Sequence, residues 1–478
     1  MMACFSSVSF AHKEPVNIIF LLADDHRWDR FGFMGHKWLK TPNLDQLAGE
    51  GVVFTQGYHA APICKPARVS IMLGQYLNTH LGGFDKPSDW TITNDEFSSS
   101  YPSIMKQAGY YTGFVGKFGF PVSEIKEKNV AYPNGIRDYK SQLWLQEKYL
   151  PKAAFDYWYG KAGQGKYAID GEHGTKVRMD RALDFIAQAK EKQQPFMLSL
   201  SFKAPHSPYQ PSEKWRKYYQ NITIPVPELS SSRDFAALPN VVKENYRGAK
   251  GYGKAYQKSM RGYYGLISGV DEQVGRLRQG LEQLGLADNT VIIYSSDNGY
   301  FAGSRGLKGK DLLYRESVRA PLIIYSPKLD KNLQSRFEPG LFSTVDFAPT
   351  MLDMAGIKAP EKMQGLSLLP LLNQEKQQVN EVVFSENNFA NFQAFDNGST
   401  KNKKTGTVRA KAVQNTRYRY IRFHETTPVI EQLFDIQADP NELSNLTENI
   451  EYKQVLDTMR RHLVEFVQKT KAQRVESL

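Results

Sequence analysis

The chain has 478 residues, 61 Lys+Arg against 50 Asp+Glu, a formal net charge of +11 and two cysteines. A hydrophobic fraction of 41% with 27 Phe and 26 Tyr supports a sizeable core, which excludes disorder, collagen and coiled coil for the bulk of the chain. Two cysteines cannot staple a chain this long, and no apolar run reaches the ~20 residues of a membrane helix; the positive excess leaves nucleic acid, an anionic membrane surface or a polyanionic glycan as partners.

Residues 1–11 are small and apolar and read as the tail of a secretory signal peptide, with a cleavage site at 8–11. Cys4 bears a weaker likeness to a lipoprotein attachment cysteine. Both point to a periplasmic or secreted protein. Residues 16–23 form a continuously apolar run, which predicts a strand buried on both faces. Similar runs stand at 112–115, 196–200, 290–294 and 322–325, with helical periodicity at 175–189, 263–284 and 346–355. Strands alternating with helices predict an α/β fold around a central sheet. The Gly-rich stretch 248–253 reads as a flexible surface loop, since neither flank reads as strand-to-helix. After residue 372 the texture changes to a polar connector (373–380), a short apolar run (382–385), a loop rich in Asn, Gly and Lys (387–407) and an alternating stretch (408–424). This predicts a smaller antiparallel sheet, with a boundary near residue 375 that divides 12–375 from 376–478. Val455, Met459, Leu463 and Phe466 recur at helical spacing and predict a terminal amphipathic helix over 451–471.

Ligands of α/β sheets bind outside the carboxyl ends of the strands, so the polar residues after each run come first. Asp24-Asp25-His26-Arg27 follow the first run. Adjacent carboxylates repel unless a cation lies between them, and a hard divalent ion satisfies both. A helix cap beside a surface acid explains the pair as well. Ser295-Ser296-Asp297-Asn298-Gly299 follow the run at 290–294 and offer two more oxygen donors. Two such clusters point to one shared Ca2+ or Mg2+ site. Cys64-Lys65-Pro66-Ala67-Arg68 reads as the opening of a helix, since Pro66 suits a first turn. A helix N-terminus and Arg68 both favour a thiolate or another anion at Cys64. A buried free cysteine is the plainer reading, but it leaves the offsets of Pro66 and Arg68 unexplained.

Cys64, Pro66, Arg68 and Gly74 together resemble the signature of the type I, formylglycine-dependent sulfatases of the alkaline phosphatase superfamily. Further landmarks follow in family order. They are Asp24-Asp25, Thr41-Pro42-Asn43-Leu44-Asp45, Gly116-Lys117, Ala204-Pro205-His206-Ser207-Pro208, Asp297-Asn298-Gly299 and Lys310 nine residues before Arg319. Val345-Asp346-Phe347-Ala348-Pro349-Thr350 and Leu433-Phe434-Asp435 with Asp439-Pro440 complete a resemblance over roughly residues 16–446. It implies an alkaline-phosphatase-like α/β fold, a large central mixed β-sheet flanked by helices, plus a small C-terminal antiparallel-sheet subdomain. The implied reaction is hydrolysis of a sulfate ester on a sulfated carbohydrate, as in bacterial polysaccharide sulfatases. A maturase would oxidise Cys64 to formylglycine, whose hydrate attacks sulfur. Asp24, Asp25, Asp297 and Asn298 would hold one Ca2+ together with residue 64. Arg68 and Lys117 would hold the formylglycine oxygens. Lys310 and His206 would face the sulfate and its leaving oxygen, with His206 as the acid.

One departure stands out. Many relatives continue the Gly-Lys segment with Trp-His, whereas Phe118-Gly119 follow Lys117 here. The base that expels sulfate is therefore open among His26, His59, His173 and water. His26, Arg27 and His173 are candidate substrate contacts. Trp28, Trp90, Trp144 and Trp158 are candidates for stacking on sugar rings, although most large aromatics are core residues. No helix-turn-helix, zinc finger or basic-aromatic stripe supports nucleic acid. Two other readings stand beside the sulfatase: a phosphodiester or phosphonate monoester hydrolase with the same nucleophile, and a non-catalytic sulfoglycan-binding protein if Cys64 stays a thiol.

Overall fold

Alternate side chains of a strand point to opposite faces, so a strand that is apolar throughout needs a hydrophobic layer on each side. The computed structural model, which describes residues 15–84, 90–126, 148–389 and 408–471, supplies both layers. Its central sheet holds β1 (Asn17–Asp24), β2 (Val52–Tyr58), β3 (Tyr111–Lys117), β4 (Tyr157–Lys161), β5 (Phe196–Pro205), β6 (Thr290–Ser296), β7 (Leu322–Tyr325) and β8 (Arg336–Ser343). Their spatial order is β8-β2-β7-β6-β1-β5-β3-β4. β7 runs antiparallel to both neighbours and the other pairs are parallel, so the sheet is mixed.

The helices that matter to the argument are α1 (Pro42–Glu50), α2 (Cys64–Leu73), α3 (Tyr101–Gln107), α4 (Gly174–Lys192), α5 (Tyr256–Gln283), α6 (Phe347–Met354) and α7 (Lys453–Thr470). Ile18, Phe20 and Leu22 of β1 enter a core shared with α2, α3 and α6. Ile19, Leu21 and Ala23 enter the opposite core, shared with α1, α4 and α5. The central sheet is thus covered on both faces, as its sequence requires.

A second, antiparallel sheet holds β9 (Val383–Asn387), β10 (Ala410–Gln414), β11 (Tyr418–Phe423) and β12 (Ile430–Asp435), in chain order. Val413, Tyr420 and Leu433 pack on one side against α7, Ala60 and Tyr76. Ala410, Ile421 and Phe434 pack on the other against Leu307, Leu312, Leu313 and Tyr314. Ser385 Oγ donates to His59 O at 2.7 Å, and Glu386 N donates to Ala60 O at 2.8 Å. The small sheet therefore buttresses the two segments that carry Cys64 and Lys310.

The predicted runs all form strands. β2, β4 and β8 escaped the reading because Gly57, Gly160 and Pro339-Gly340 break their apolar pattern. The alternating stretch 408–424 is a hairpin of two strands, and α5 begins at Tyr256, well before the predicted 263. The stretch 248–253 is not a free surface loop, because Lys308 N donates to Gly248 O at 3.0 Å and holds it against the chain near Lys310. The signal-like segment, with Cys4, and most of the loop 387–407 lie outside the described residues. Among the described residues no helix is long and apolar enough to cross a membrane.

Candidate active site

β1 and β6 are parallel neighbours, with Ala23 opposite Ser296. Asp24-Asp25 and Asp297-Asn298 therefore leave the sheet side by side. Asp25 sits at φ 73, a left-handed conformation that Asp tolerates better than most residues. Its amide donates to Asp297 Oδ1 at 3.3 Å, and Asn298 Nδ2 donates to its Oδ1 at 2.7 Å. On the other side of β1 the register with β5 shifts: Leu22 lies opposite Ser201, but Asp24 lies opposite Pro205. Such a bulge re-aims the side chains that follow. Here it brings His206 Nε2 to 3.9 Å from Asp25 Oδ2.

The remaining groups arrive from three further elements. β3 ends on Lys117, whose Nζ is 2.6 Å from Asp24 Oδ2. α2 opens on Cys64, with Sγ 3.5 Å from Asp24 Oδ1. One turn later Arg68 donates from Nε to Asp297 Oδ2 at 2.9 Å, and from Nη1 to Lys117 O at 2.6 Å and Ser201 Oγ at 2.5 Å. Lys310 Nζ donates to Cys64 Sγ at 2.8 Å and pairs with Asp25 Oδ1. The structure thus brings together every residue expected for nucleophile, ion and sulfate, all of them buried except His206, which is 20% exposed.

Burial alone would raise the Asp24 carboxyl, but Lys117, His206 and Lys310 outweigh it and hold the group at about 2. Asp25 is lowered in the same way, chiefly by Lys310. Lys310 would be lowered by burial, yet Asp25 and the other anions nearby push it well above its usual value. The expected thiolate at Cys64 does not survive this environment. Burial, reinforced by Asp24, pushes the thiol up to about 11 against the pull of Lys117 and Lys310. Desolvation here exceeds the helix N-terminus and the nearby cations.

Three carboxylates (Asp24, Asp25, Asp297) face three basic side chains (Arg68, Lys117, Lys310). The donor set suits a hard cation. Ligand atoms of Asp24, Asp25, Cys64 and His206 all lie within 4.8 Å of one another. Asn298 Oδ1 is buried with no hydrogen-bond partner among the described residues, an orphan that a cation would satisfy. The residues present therefore fit a divalent ion.

Other expected residues sit elsewhere. His26 is fully buried, with Nδ1 2.6 Å from Tyr294 Oη and Nε2 2.7 Å from Arg30 O. Both nitrogens are taken up inside the protein, which leaves none for a substrate or a catalytic proton. Arg27 pairs with Asp29 at 2.8 Å and donates to Phe301 O and Ser304 Oγ, again inward. His173 caps α4, accepts from Thr175 N at 3.4 Å and contacts Gln210 O at 3.0 Å. His59 is buried beside Asp297 and Lys310, and burial pushes it down to about 3. Neither of its ring nitrogens has a hydrogen-bond partner among the described residues. Trp158 packs in an aromatic cluster with Phe114, Phe118 and Phe155, and the Trp28 ring is covered by Arg319 at 3.6 Å. Both are accounted for without a sugar. Trp144 lies outside the described residues. Gly119, at φ 95, occupies the position of the family histidine; a Cβ there would meet Arg68 Cδ at 2.7 Å, so a side chain would strain the backbone and displace Arg68. Gln164, Ser201 and Tyr263 touch the site and were missed. Gln164 follows β4, so looking past each strand end would have found it had β4 been recognised.

The sulfatase family pattern matches residues 16–357, and the C-terminal pattern of N-sulphoglucosamine sulphohydrolase matches 303–469. An N-acetylglucosamine-6-O-sulfatase of Bacteroides thetaiotaomicron is 27% identical, over 96% of this chain and 87% of the relative. A protein solved in complex with its substrate D-glucosamine-2-N,6-O-disulfate superposes with a TM-score of 0.73 at 24% identity, covering 96% of this chain and 98% of the other. A phosphonate monoester hydrolase of Agrobacterium radiobacter superposes with the same TM-score, 0.73, at 21% identity over 96% of each chain. These two structures share the fold.

Proposed function

Given that the chain belongs to the sulfatase family and is a sulfuric ester hydrolase, we propose that it removes sulfate from a sulfated carbohydrate, with residue 64 as formylglycine and one Ca2+ beside it. The observation that carries this reading is the placement of Cys64 Sγ between Asp24 Oδ1 and Lys310 Nζ, at 3.5 Å and 2.8 Å. A carbohydrate substrate is supported by the relative acting on N-acetylglucosamine-6-O-sulfate groups and by the net charge of +11. The apolar segment 1–11 supports a periplasmic or secreted location, with Cys4 as a lipid attachment point if the chain is anchored. A formylglycine-generating maturase is the required partner.

Asp24, Asp25, Asp297 and Asn298 would hold the ion. When bound, it offsets sulfate charge and lowers the pKa of the attacking hydroxyl. As a formylglycine hydrate, residue 64 would supply that hydroxyl and a second one, whose proton would pass to water or a base as the aldehyde C=O re-forms and the C–O bond to sulfate breaks. The thiol Sγ marks where a nucleophilic oxygen stands. Lys310 reaches that atom and stabilises negative charge on it and on the sulfate. Lys117 and Arg68 give their charge to Asp24 and Asp297, so in this arrangement they act by holding the carboxylates in place. The three carboxylates and three basic groups nearly cancel, and a divalent cation then makes the pocket attractive to an anionic ester. His206 directs Nδ1 to Ser207 O at 2.7 Å, so the ring would act as an acid in its doubly protonated form, with the Nε2 proton facing the site and passing to the leaving oxygen.

The test measures inorganic sulfate released from a panel of defined sulfated oligosaccharides, beside turnover of an aryl sulfate and an aryl phosphodiester. Sulfate release should dominate, and Cys64→Ala should lose at least about 10³-fold in kcat. The peptide containing residue 64 should run about 18 Da below the thiol mass in active protein, the change from CH2SH to CHO. Full activity in Cys64→Ala, or faster turnover of the phosphodiester, would overturn the reading.

A further inference from the structure

Gln164 stands between Gly163 and Gly165, just past β4, and its carboxamide meets three charged or catalytic groups at once. Nε2 donates to Asp24 Oδ2 at 2.9 Å, while Oε1 accepts from Lys117 Nζ at 2.7 Å and faces His206 Nε2 at 3.2 Å. The reverse orientation would set oxygen against the carboxylate and nitrogen against the ammonium, so the charges on either side select this one. The turn that delivers the amide is itself held. Gly165 has φ 63, and its carbonyl accepts from Lys203 Nζ at 2.8 Å.

We propose that Gln164 is a positioning residue that divides the two oxygens of Asp24 between separate tasks. The inference rests on the reading of the site as an ion-dependent sulfatase centre. Oδ2 collects the donors: Lys117 Nζ at 2.6 Å, the Gln164 amide at 2.9 Å and Arg68 Nη2 at 3.8 Å. Oδ1 faces residue 64 at 3.5 Å and Lys310 Nζ at 3.8 Å. A carboxylate with one oxygen held by two donors cannot turn about its Cβ–Cγ bond without breaking both. Oδ1 therefore stays directed at residue 64 and is the oxygen left for the cation. Lys117 alone does not achieve this, because an ammonium is a point charge with rotatable donors and attracts either oxygen. The planar amide adds the direction. Its carbonyl also pins the Lys117 ammonium against Oδ2. Partners that orient a metal ligand in this way typically control affinity and rate together.

Gln164→Met preserves the length of the side chain and removes both hydrogen-bonding atoms. Gln164→Glu keeps the acceptor toward Lys117 and removes the donor to Asp24. Chelator-treated protein is titrated with Ca2+ and its thermal midpoint followed, and kcat and KM are measured with an aryl sulfate at saturating Ca2+. The Met variant should keep the ion-free midpoint of the parent, bind Ca2+ about 10–100-fold more weakly and lose kcat by a similar factor. Its KM should change by less than about threefold, since the amide acts through Asp24 and not on the substrate. The Glu variant should lose kcat as well, because the donor is what orients Asp24; it also serves if the Met variant does not fold. Ca2+ affinity and kcat within about twofold of the parent in a folded variant overturn the proposal, as does a loss confined to KM. A parent protein with no Ca2+ response and no sulfate release would place the fault in the reading of the site and not in Gln164.

Discussion

Asp271 reaches from α5 to the first turn of α1, where its carboxylate accepts from Leu44 N at 2.7 Å and from Asn43 Nδ2 at 2.8 Å. Thr41 Oγ1 donates to Asp45 Oδ1 at 2.9 Å and accepts from Gly32 N at 2.7 Å in the same knot. The segment 41–45 was legible as a family landmark, yet its work is to start a helix. Burial pushes Asp271 up to about 7 in spite of both donors. A carboxyl raised in the folded state binds its proton more tightly than in the unfolded chain, where its pKa is about 3.9. Its contribution to stability is therefore complete below about pH 4 and is lost as pH climbs toward 7, on the order of a few kcal/mol. Asp271→Asn removes that slope, and Asn43 can turn its amide to accept from the new donor. The thermal midpoint of the variant relative to the parent should rise between pH 5 and pH 8. A difference that stays flat or falls would show that burial does not dominate at this carboxyl.

At the scale of the element, α2 shows which physical effect decides. All its residues are buried, and Gly74 ends it at φ 63. From sequence, the helix start that Pro66 marks and Arg68 one turn later both favour a thiolate or another anion at Cys64. The helix is present, but its first turn is closed off from water, so the thiol stays neutral. Arg68 shows the same shift from expectation to placement. Its guanidinium spans Asp297, Lys117 O and Ser201, joining the ends of β6 and β3 to the middle of β5. Arg68→Lys keeps the charge but cannot span those partners in one plane. We expect a loss of about 1–3 kcal/mol in unfolding free energy, since a lysine keeps the charge near Asp297 but leaves some of these buried acceptors without a donor. Denaturant titration of the ion-free protein reads this directly, and a change below about 1 kcal/mol would mean that the three strands are held by other contacts.

Across the whole molecule, the small sheet is joined to the central one by a buried ionic network. Arg305 pairs with Glu316 at 3.1 Å and with Glu442 at 3.4 Å, and Glu442 also pairs with Arg419 of β11. Two cations and two anions balance with almost no solvent. Removing one member leaves its partners buried and uncompensated, so Glu442→Ala should cost about 3–5 kcal/mol. Because the small sheet that this network anchors also packs against the segments of Cys64 and Lys310, scanning calorimetry should show one lowered transition for the whole protein. A separate early transition with an unchanged main one would mean that the small sheet unfolds independently.

By itself, the sequence determined five of the eight strands of the double-covered sheet and the identity of the groups at their ends. Apolar runs and short motifs are local, and a parallel strand buried on both faces announces itself in eight residues or fewer. It read less well where glycine or proline interrupts a strand, as in the interior β2 and the edge strands β4 and β8. Only the tertiary structure decided what each polar group does. His26 and Arg27 follow the acid pair in sequence yet turn inward to Arg30 O, Asp29 and Phe301 O. Gln164, with no motif around it, lies against Asp24 and Lys117. Lys117 meets Asp24 across 93 residues and Lys310 meets Cys64 across 246. The charge state of a buried group is set by such neighbours and by the water they exclude, and neither is written in the residues beside it.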